Sequence, residues 1–213
     1  AAGSGIAFLW QGNALSPYPS PKRGAATMES GQGEGLFVRN LSQGPRPLDN
    51  NGGTYMATKI PGETYRGEAL HLPLSQDGQV AAYVWPLRIL KIREKGCGGP
   101  TLGIDVGNEE VLRWDCHDAI GHWHGGGYDR LERPGNSHRD FPEGVNTVAT
   151  QVEWAFQQIQ NNTKELLKEA EYGPAADLVD PTLVATAIDS IKAHLAKHSA
   201  LRPQAIEENL IAT

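Results

Sequence analysis

The chain has 213 residues, of which 39% are hydrophobic and 21% charged, so it can form a globular domain with a core of its own. Its net charge of −6 provides no overall field for a phosphate backbone, so nucleic-acid binding is not supported. No apolar run approaches the roughly 20 residues that a transmembrane helix requires, and we expect no membrane association. The two cysteines leave a bridge between Cys97 and Cys116 open, but we expect reduced thiols in a cytoplasmic protein.

The first 53 residues predict an irregular arm. Prolines such as Pro17, Pro19 and Pro21 lack an N–H donor and restrict the residues before them, and glycine-rich stretches follow. Such a segment wraps over its own domain, wraps over a partner subunit, or is disordered. We therefore expect an arm over residues 1–53, through which a homo-oligomer could form, and a single domain over residues 54–213.

Strand signals dominate from residue 54 to about residue 131. Five runs with strand-like composition are separated by turn sequences: residues 55–60, 69–74, 80–92, 101–106 and 109–116. Segment 95–100, rich in glycine, is expected to be a loop, and Gly107-Asn108 a tight turn. The basic residues at the end of the third run are expected on a solvated strand face: Arg88, Lys91, Arg93 and Lys95. Short spacing without intervening helices favours an antiparallel sheet.

The C-terminal part has helical periodicity. Apolar residues recur every three or four positions over residues 148–170 and again over residues 183–195. Gly173-Pro174 is expected to end the first helix, Asp180-Pro181 to begin the second, and Pro203 to end it. Strands followed by helices predict an α+β fold, in which two amphipathic helices pack on an antiparallel sheet.

The residues capable of chemistry are concentrated over residues 113–143. Four of the seven histidines lie there among five carboxylic acids. The histidines are His117, His122, His124 and His138, and the acids are Asp115, Asp118, Asp129, Asp140 and Glu143. Histidine titrates near neutral pH and is also a common metal ligand, so the concentration predicts a catalytic or metal-binding site.

Strand geometry groups several of these residues. Because side chains alternate between the two faces of a strand, Arg113 and Asp115 share one face of the run that contains them. His122 and His124 share a face in the same way, and a tryptophan lies on the opposite face of each segment. If the two segments pair as a hairpin, an arginine, an aspartate and up to three histidines converge on one side of the sheet.

One hypothesis is a metal site. The pair His122 and His124 offers two imidazoles to one ion. A third or fourth ligand would complete the site, with His117 and Asp129 as the first choices and His138 and Asp140 as the alternatives. The expected ion is a divalent transition metal, with zinc as the first choice. No glycine-rich phosphate-binding motif precedes a helix, so no nucleotide cofactor is indicated.

The second hypothesis is a metal-free hydrolytic site. Arg113 would stabilise an oxyanion or a phosphate, and Asp115 would orient a histidine. His117 and His138 would transfer protons as acid–base groups. In either version the expected activity is hydrolysis, with a phosphodiester as one candidate substrate.

The order of these elements resembles that of small bacterial families of unknown function. The resemblance covers residues 111–170 and follows Arg113-Trp114-Asp115, His117, His122-Trp123-His124, His138-Arg139-Asp140-Phe141-Pro142 and then an amphipathic helix. Toxins of the TumE type from toxin–antitoxin operons are similar in outline. The resemblance implies the following active residues: Arg113, Asp115, His117, His122 and His124.

The sequence leaves open whether the chain is an enzyme. The alternative is a noncatalytic binding or assembly protein, whose interface would be the arm over residues 1–53 together with the helical face. In that case the histidines would be structural. A catalytic cluster should line a concave pocket, whereas structural histidines should be dispersed or hydrogen-bonded to the backbone.

Overall fold

The computed structural model describes residues 62–92, 95–126, 131, 133 and 137–212. The predicted arm over residues 1–53 and the first predicted strand, over residues 55–60, lie outside this range.

Within these residues the chain forms strands first and helices afterwards. The strands are β1 Thr64–Arg66, β2 Leu70–Pro73, β3 Val80–Ile92, β4 Lys95–Val106, β5 Glu109–Asp115, β6 His122–His124 and β7 His138–Asp140. The helices are a 3-10 helix Asp118–Ile120 between β5 and β6, then α1 Val148–Glu169, α2 Gly173–Leu178, α3 Pro181–Lys197 and α4 Leu201–Glu207. This order confirms the predicted α+β class.

The described strands form one seven-stranded antiparallel sheet, as predicted. Its order is β1-β3-β4-β5-β6-β7, and β2 pairs with β3 on the same side as β1. Strand β3 is long enough for both partners, since β1 pairs with residues 87–89 and β2 with residues 81–84. Strands β5, β6 and β7 therefore lie side by side at the other end of the sheet.

Segment 95–100 is not the predicted loop but the first half of β4. Cys97, expected to be a loop thiol, pairs with Leu90 of β3 and donates a hydrogen bond to its carbonyl oxygen at 3.4 Å. Glycine usually weakens a strand, but it is needed where another backbone approaches closely. A Cβ atom on Gly99 would lie 2.0 Å from the carbonyl oxygen of Cys116. Composition alone could not distinguish this close approach from a loop.

The main hydrophobic core lies between one face of the sheet and helices α1 and α3. Trp114 of β5 is fully buried there, and it pairs across the ladder with Trp123 of β6. Their ring centroids are 6.5 Å apart. Helix α4 covers a second, smaller cluster that consists of Leu87, Ile89, Ala205 and Ile211.

Two predicted helix boundaries are wrong. Helix α1 already ends at Glu169, and Gly173-Pro174 begins α2. Helix α3 ends at Lys197, and Pro203 lies in the first turn of α4. Proline is tolerated in a first turn because an N–H at that position has no intrahelical acceptor. The predicted start of α3 is confirmed, since the Asp180 side chain accepts hydrogen bonds from the backbone N–H groups of Thr182 and Leu183. None of the helices described here has both the length and the apolar character needed to cross a bilayer.

Replacing Trp114 by alanine should lower the free energy of unfolding by about 3–5 kcal/mol, because it leaves a large cavity between the sheet and α1. Leu178→Ala is the matched control, since Leu178 is 41% exposed and its loss should change stability by less than about 0.5 kcal/mol. Urea denaturation followed by circular dichroism measures both. Equal midpoints for the two variants would contradict this account of the core.

Candidate functional site

Strands β5 and β6 pair as the predicted hairpin and bring charged and imidazole side chains to one face of the sheet. Arg113 lies opposite His124, and Asp115 lies opposite His122. Strand β7 continues the sheet and places His138 opposite His124. This face is the reverse of the one on which the tryptophans of β5 and β6 pack.

Asp115 is at the centre of the site and is only 1% exposed. Its Oδ1 accepts hydrogen bonds from Arg88 Nη1 at 2.5 Å and from the Thr101 hydroxyl at 3.0 Å. Its Oδ2 accepts a hydrogen bond from Arg113 Nε at 3.1 Å. Burial opposes ionisation, but the guanidinium groups of Arg113 and Arg88 hold the pKa of the Asp115 carboxyl well below its usual range. The carboxylate is therefore ionised at neutral pH.

Arg88 was predicted to lie on a solvated strand face, but its exposed fraction is only 5%. Besides Asp115 it binds Glu63 through two bonds, from Nε at 2.6 Å and from Nη2 at 2.8 Å. Burial disfavours its charged form, yet the bonds to Glu63 and the charge of Asp115 raise the pKa of Arg88. The residue is thus a permanently charged anchor between two carboxylates.

A β-bulge in β3 brings Arg88 to the face of the sheet that carries Asp115. Trp85 pairs with Thr101 and Arg88 pairs with Gly99, so β3 contains one residue more than β4 in this interval. The extra residue shifts the alternation of side chains and turns Arg88 to the same face as Trp85. Without the bulge, alternation from Val80 would place Arg88 on the core face with Val80 and Val84. The predicted solvation failed for another reason: Arg88 is buried by its ion pairs with Glu63 and Asp115, which a cluster of basic residues in the sequence does not indicate.

Three potential ligand atoms converge at the site. Asp115, His122 and His124 each offer one ligand atom, and these three atoms all lie within 4.8 Å of one another. The carboxylate oxygen is 3.4 Å from His122 Nε2 and 3.6 Å from His124 Nε2. Two ligands of a tetrahedral zinc ion, with bonds of about 2.0–2.1 Å, are about 3.3 Å apart. The three donors therefore approach the spacing that a small divalent cation requires.

His122 is held in the form that a metal ligand needs. Its Nδ1 is 3.1 Å from the carbonyl oxygen of Ile120, which can only accept, so Nδ1 carries the proton and Nε2 carries a lone pair. Burial lowers the pKa of His122 to about 4, although the charge of Asp115 opposes this. The imidazole is consequently neutral at pH 7, and its Nε2 lies beside Asp115 Oδ2.

His124 presents its Nε2 to Arg113. Arg113 Nη2 is 2.8 Å from this nitrogen, and since a guanidinium can only donate, the nitrogen must accept. In this hydrogen bond the lone pair of His124 Nε2 is directed at the guanidinium. His124 Nε2 and Asp115 Oδ2 thus both accept from the guanidinium of Arg113.

His138 borders the site. Its ring stacks on that of His122, with centroids 4.4 Å apart and an angle of 23° between the planes. Its side chain is 30% exposed, and its Nε2 is 3.4 Å from Oδ1 of the largely exposed Asp140. His138 is therefore the most solvent-accessible imidazole of this group.

His117 is not brought into the group of ligand atoms. It is 2% exposed, and its Nε2 lies 3.3 Å from the hydroxyl of Thr101. Because that hydroxyl donates to Asp115, His117 Nε2 must donate to it, and the hydrogen-bonded link from His117 to Asp115 runs through Thr101. Burial lowers the pKa of His117 to about 4. Asp129, the other expected ligand, lies outside the described residues.

A second polar cluster lies on the same face of the sheet, nearer to β2. His71, Tyr83, Asp105 and Glu110 come from four neighbouring strands. Asp105 and Glu110 are cross-strand partners, and His71 Nε2 is 3.9 Å from Asp105 Oδ2. Burial, followed by the charge of Glu110, raises the pKa of Asp105 to about 7. None of these four residues was singled out from the sequence.

Replacing Arg88 by methionine should lower the free energy of unfolding by about 3–5 kcal/mol, because it leaves the carboxylates of Asp115 and Glu63 without their shared cation. Arg66→Met is the matched control, since it breaks only the exposed pair with Glu208 and should leave the urea midpoint nearly unchanged. If Arg88→Met unfolds at the same urea concentration as the control, Arg88 is not the anchor described here.

Asp105 should make stability depend on pH. Its pKa is higher in the folded protein than the ordinary value of 3.8, so its contribution is complete below that value and is lost as the pH rises to about 7. Asp105→Asn should therefore gain roughly 1–3 kcal/mol relative to the parent protein between about pH 4 and pH 8. Urea titrations across this range test it, and a stability difference that does not change with pH would refute it.

The comparisons with known proteins identify a family but no activity. Residues 86–195 match a family described as a domain of unknown function, DUF7700, which is 110 of the 213 residues. The matched range includes Arg88, Asp115, His122 and His124, whereas Glu63 and Tyr83 precede it. No curated protein and no solved structure gives a significant match, and no similarity to TumE-type toxins is found. The chain belongs to the DUF7700 family.

Proposed function

We propose that this protein binds a divalent transition metal, zinc in the first instance, through Asp115, His122 and His124, and that it is a metal-dependent hydrolase. The observation that supports the proposal most strongly is the convergence of three ligand atoms within 4.8 Å. The carboxylate is ionised, and the hydrogen bonds to Ile120 and Arg113 leave a lone pair on each Nε2. A group of three ligand-ready atoms is far more specific than a concentration of histidines in the sequence.

The donor types suit a catalytic ion better than a structural one. Two imidazole nitrogens and one carboxylate oxygen favour zinc, iron, cobalt, nickel or manganese over calcium and magnesium. Structural zinc sites are closed by four protein ligands, whereas catalytic sites keep a position for water or substrate. Bound in this way, the ion would activate water and polarise a carbonyl or phosphoryl oxygen.

The surrounding residues fix the ligands in place. Arg88 and Thr101 hold Asp115 Oδ1, which leaves Oδ2 turned toward the two histidines. The carbonyl oxygen of Ile120 orients the His122 ring, as groups beyond the direct ligands do in many metalloenzymes. Such preorganisation reduces the free energy that would otherwise be needed to order the ligands on binding.

His138 is the best-positioned group for proton transfer. It stacks on a proposed ligand, remains partly accessible to solvent, and has Asp140 within 3.4 Å to orient it. An imidazole in this position can accept a proton from water and return it to a leaving group. His117, in contrast, lies behind Asp115 and supports the carboxylate through Thr101.

Arg113 favours an anionic substrate. Its guanidinium lies beside the proposed ligands, and a guanidinium binds two oxygens of a phosphate or a carboxylate at once. A phosphodiester meets this requirement and suits the chemistry of a metal-activated water. We therefore propose phosphodiesters as the first substrate class to test.

Protein purified without a histidine tag should contain close to one equivalent of zinc or a related metal, measured by elemental analysis. The double variant His122→Ala/His124→Ala should lose it, because two of the three ligands are gone. His194→Ala/His198→Ala is the matched control, since these histidines lie four residues apart on and just beyond α3, away from the proposed ligands, and should leave the metal content unchanged.

The metal-loaded protein should also hydrolyse a chromogenic phosphodiester, and both His122→Ala/His124→Ala and His138→Ala should reduce the rate by roughly a hundredfold or more. Only the first variant should lose metal as well. The proposal fails if the parent protein holds no transition metal even after reconstitution, or if the double variant binds it equally well.

A further inference from the structure

We propose that Arg113 acts as a built-in cation that occupies the ligand atoms until a metal ion displaces it. This inference deepens the proposed function and rests on it. Arg113 Nε lies 3.1 Å from Asp115 Oδ2, and Arg113 Nη2 lies 2.8 Å from His124 Nε2. These two acceptors are also two of the three atoms that would bind the metal.

The guanidinium and a metal ion compete for the same lone pairs. His124 Nε2 has a single lone pair, and the hydrogen bond from Arg113 uses it. An ion that coordinates this nitrogen must therefore break the bond to Arg113. Asp115 Oδ2 could accept a second partner, but two cations at hydrogen-bond distance from one oxygen repel each other strongly at a buried site.

A second acceptor gives the displaced guanidinium a place to remain. Arg113 Nη1 donates to Glu110 Oε1 at 2.8 Å, which is independent of the two shared atoms. The hydroxyl of the buried Tyr83 donates to the other oxygen of Glu110. The side chain of Arg113 is 14% exposed, and the exchange requires it to turn about the Glu110 contact toward this open side.

The sheet is shaped to hold Glu110 in this position. Gly103 of β4 lies between Tyr83 of β3 and Arg113 of β5 in the strand register. The tyrosine ring crosses over this glycine, and a Cβ atom on Gly103 would lie 2.2 Å from the ring. Absence of a side chain at residue 103 thus allows Tyr83 to reach across β4 and fix the carboxylate that retains Arg113.

Displacement of Arg113 by a metal ion would determine which ions and substrates the site accepts. With Arg113 in place, the charge of Asp115 is already balanced, so an ion gains little from that charge alone. Only metals with a strong affinity for imidazole nitrogen should displace the guanidinium, which disfavours magnesium and calcium. Once released, Arg113 stays tethered beside the ion, where it can bind an anionic substrate, so metal binding should strengthen anion binding.

The test compares the zinc affinity of the parent protein with that of Arg113→Met, by competition with a chromophoric chelator. Removing the competing guanidinium should tighten zinc binding by about tenfold or more. Arg66→Met removes an arginine that pairs with an exposed glutamate, and it should leave the affinity unchanged. Arg113→Lys keeps the charge but cannot donate to both atoms in the same geometry. Its zinc affinity should therefore lie between those of the parent protein and Arg113→Met.

The outcomes separate this inference from the proposed function. If the parent protein and Arg113→Met bind zinc with equal affinity, or if the variant binds more weakly, Arg113 does not compete and the inference is overturned, while the metal site stands. If no variant binds zinc, the metal site itself is wrong and the inference falls with it. Circular dichroism confirms the fold of each variant, and Arg113→Lys carries the test if Arg113→Met does not fold.

Discussion

The site depends on one buried charge, the carboxylate of Asp115. An ionised carboxylate removed from water is costly unless charged partners and hydrogen bonds replace the solvent. Arg88 and Thr101 bind one oxygen, and Arg113 binds the other. Because Arg88 is itself paired with Glu63, the arrangement is a chain of alternating charges that crosses the sheet from β5 through β3 to the segment before β1.

The two oxygens of Asp115 differ in their partners, and this difference gives the site its chemical character. Oδ1 is bound by a buried arginine and a hydroxyl, so it belongs to the scaffold. Oδ2 lies between two imidazoles and a partly exposed arginine, Arg113, so its surroundings can change. A structural ion pair would need only the first set of contacts. The second set, with both imidazoles turned toward the same oxygen, is what supports a metal-binding function.

The sequence predicted the fold class and the residues of the β5–β6 hairpin, because alternation along a strand and helical periodicity are local properties. It placed Asp115, His122 and His124 on one face for the same reason. It did not predict the burial of Arg88, which depends on a bulge and on ion pairs with Glu63 and Asp115. Nor did it assign β4, in which glycines meet the backbone of a neighbouring strand. His117 was grouped with the other histidines by proximity in sequence, but the chain turns after Asp115 and directs it toward Thr101. Distances between ligand atoms and the partners of Arg113 are tertiary properties that no local pattern records.

The most direct test of the metal-binding account is anomalous diffraction at the zinc edge from crystals soaked in a zinc salt. The account predicts a peak within about 2.0–2.2 Å of Asp115 Oδ2, His122 Nε2 and His124 Nε2, with the guanidinium of Arg113 moved away from the two shared atoms. A map with no peak between these three residues, and with Arg113 still bound to Asp115 and His124, would contradict it.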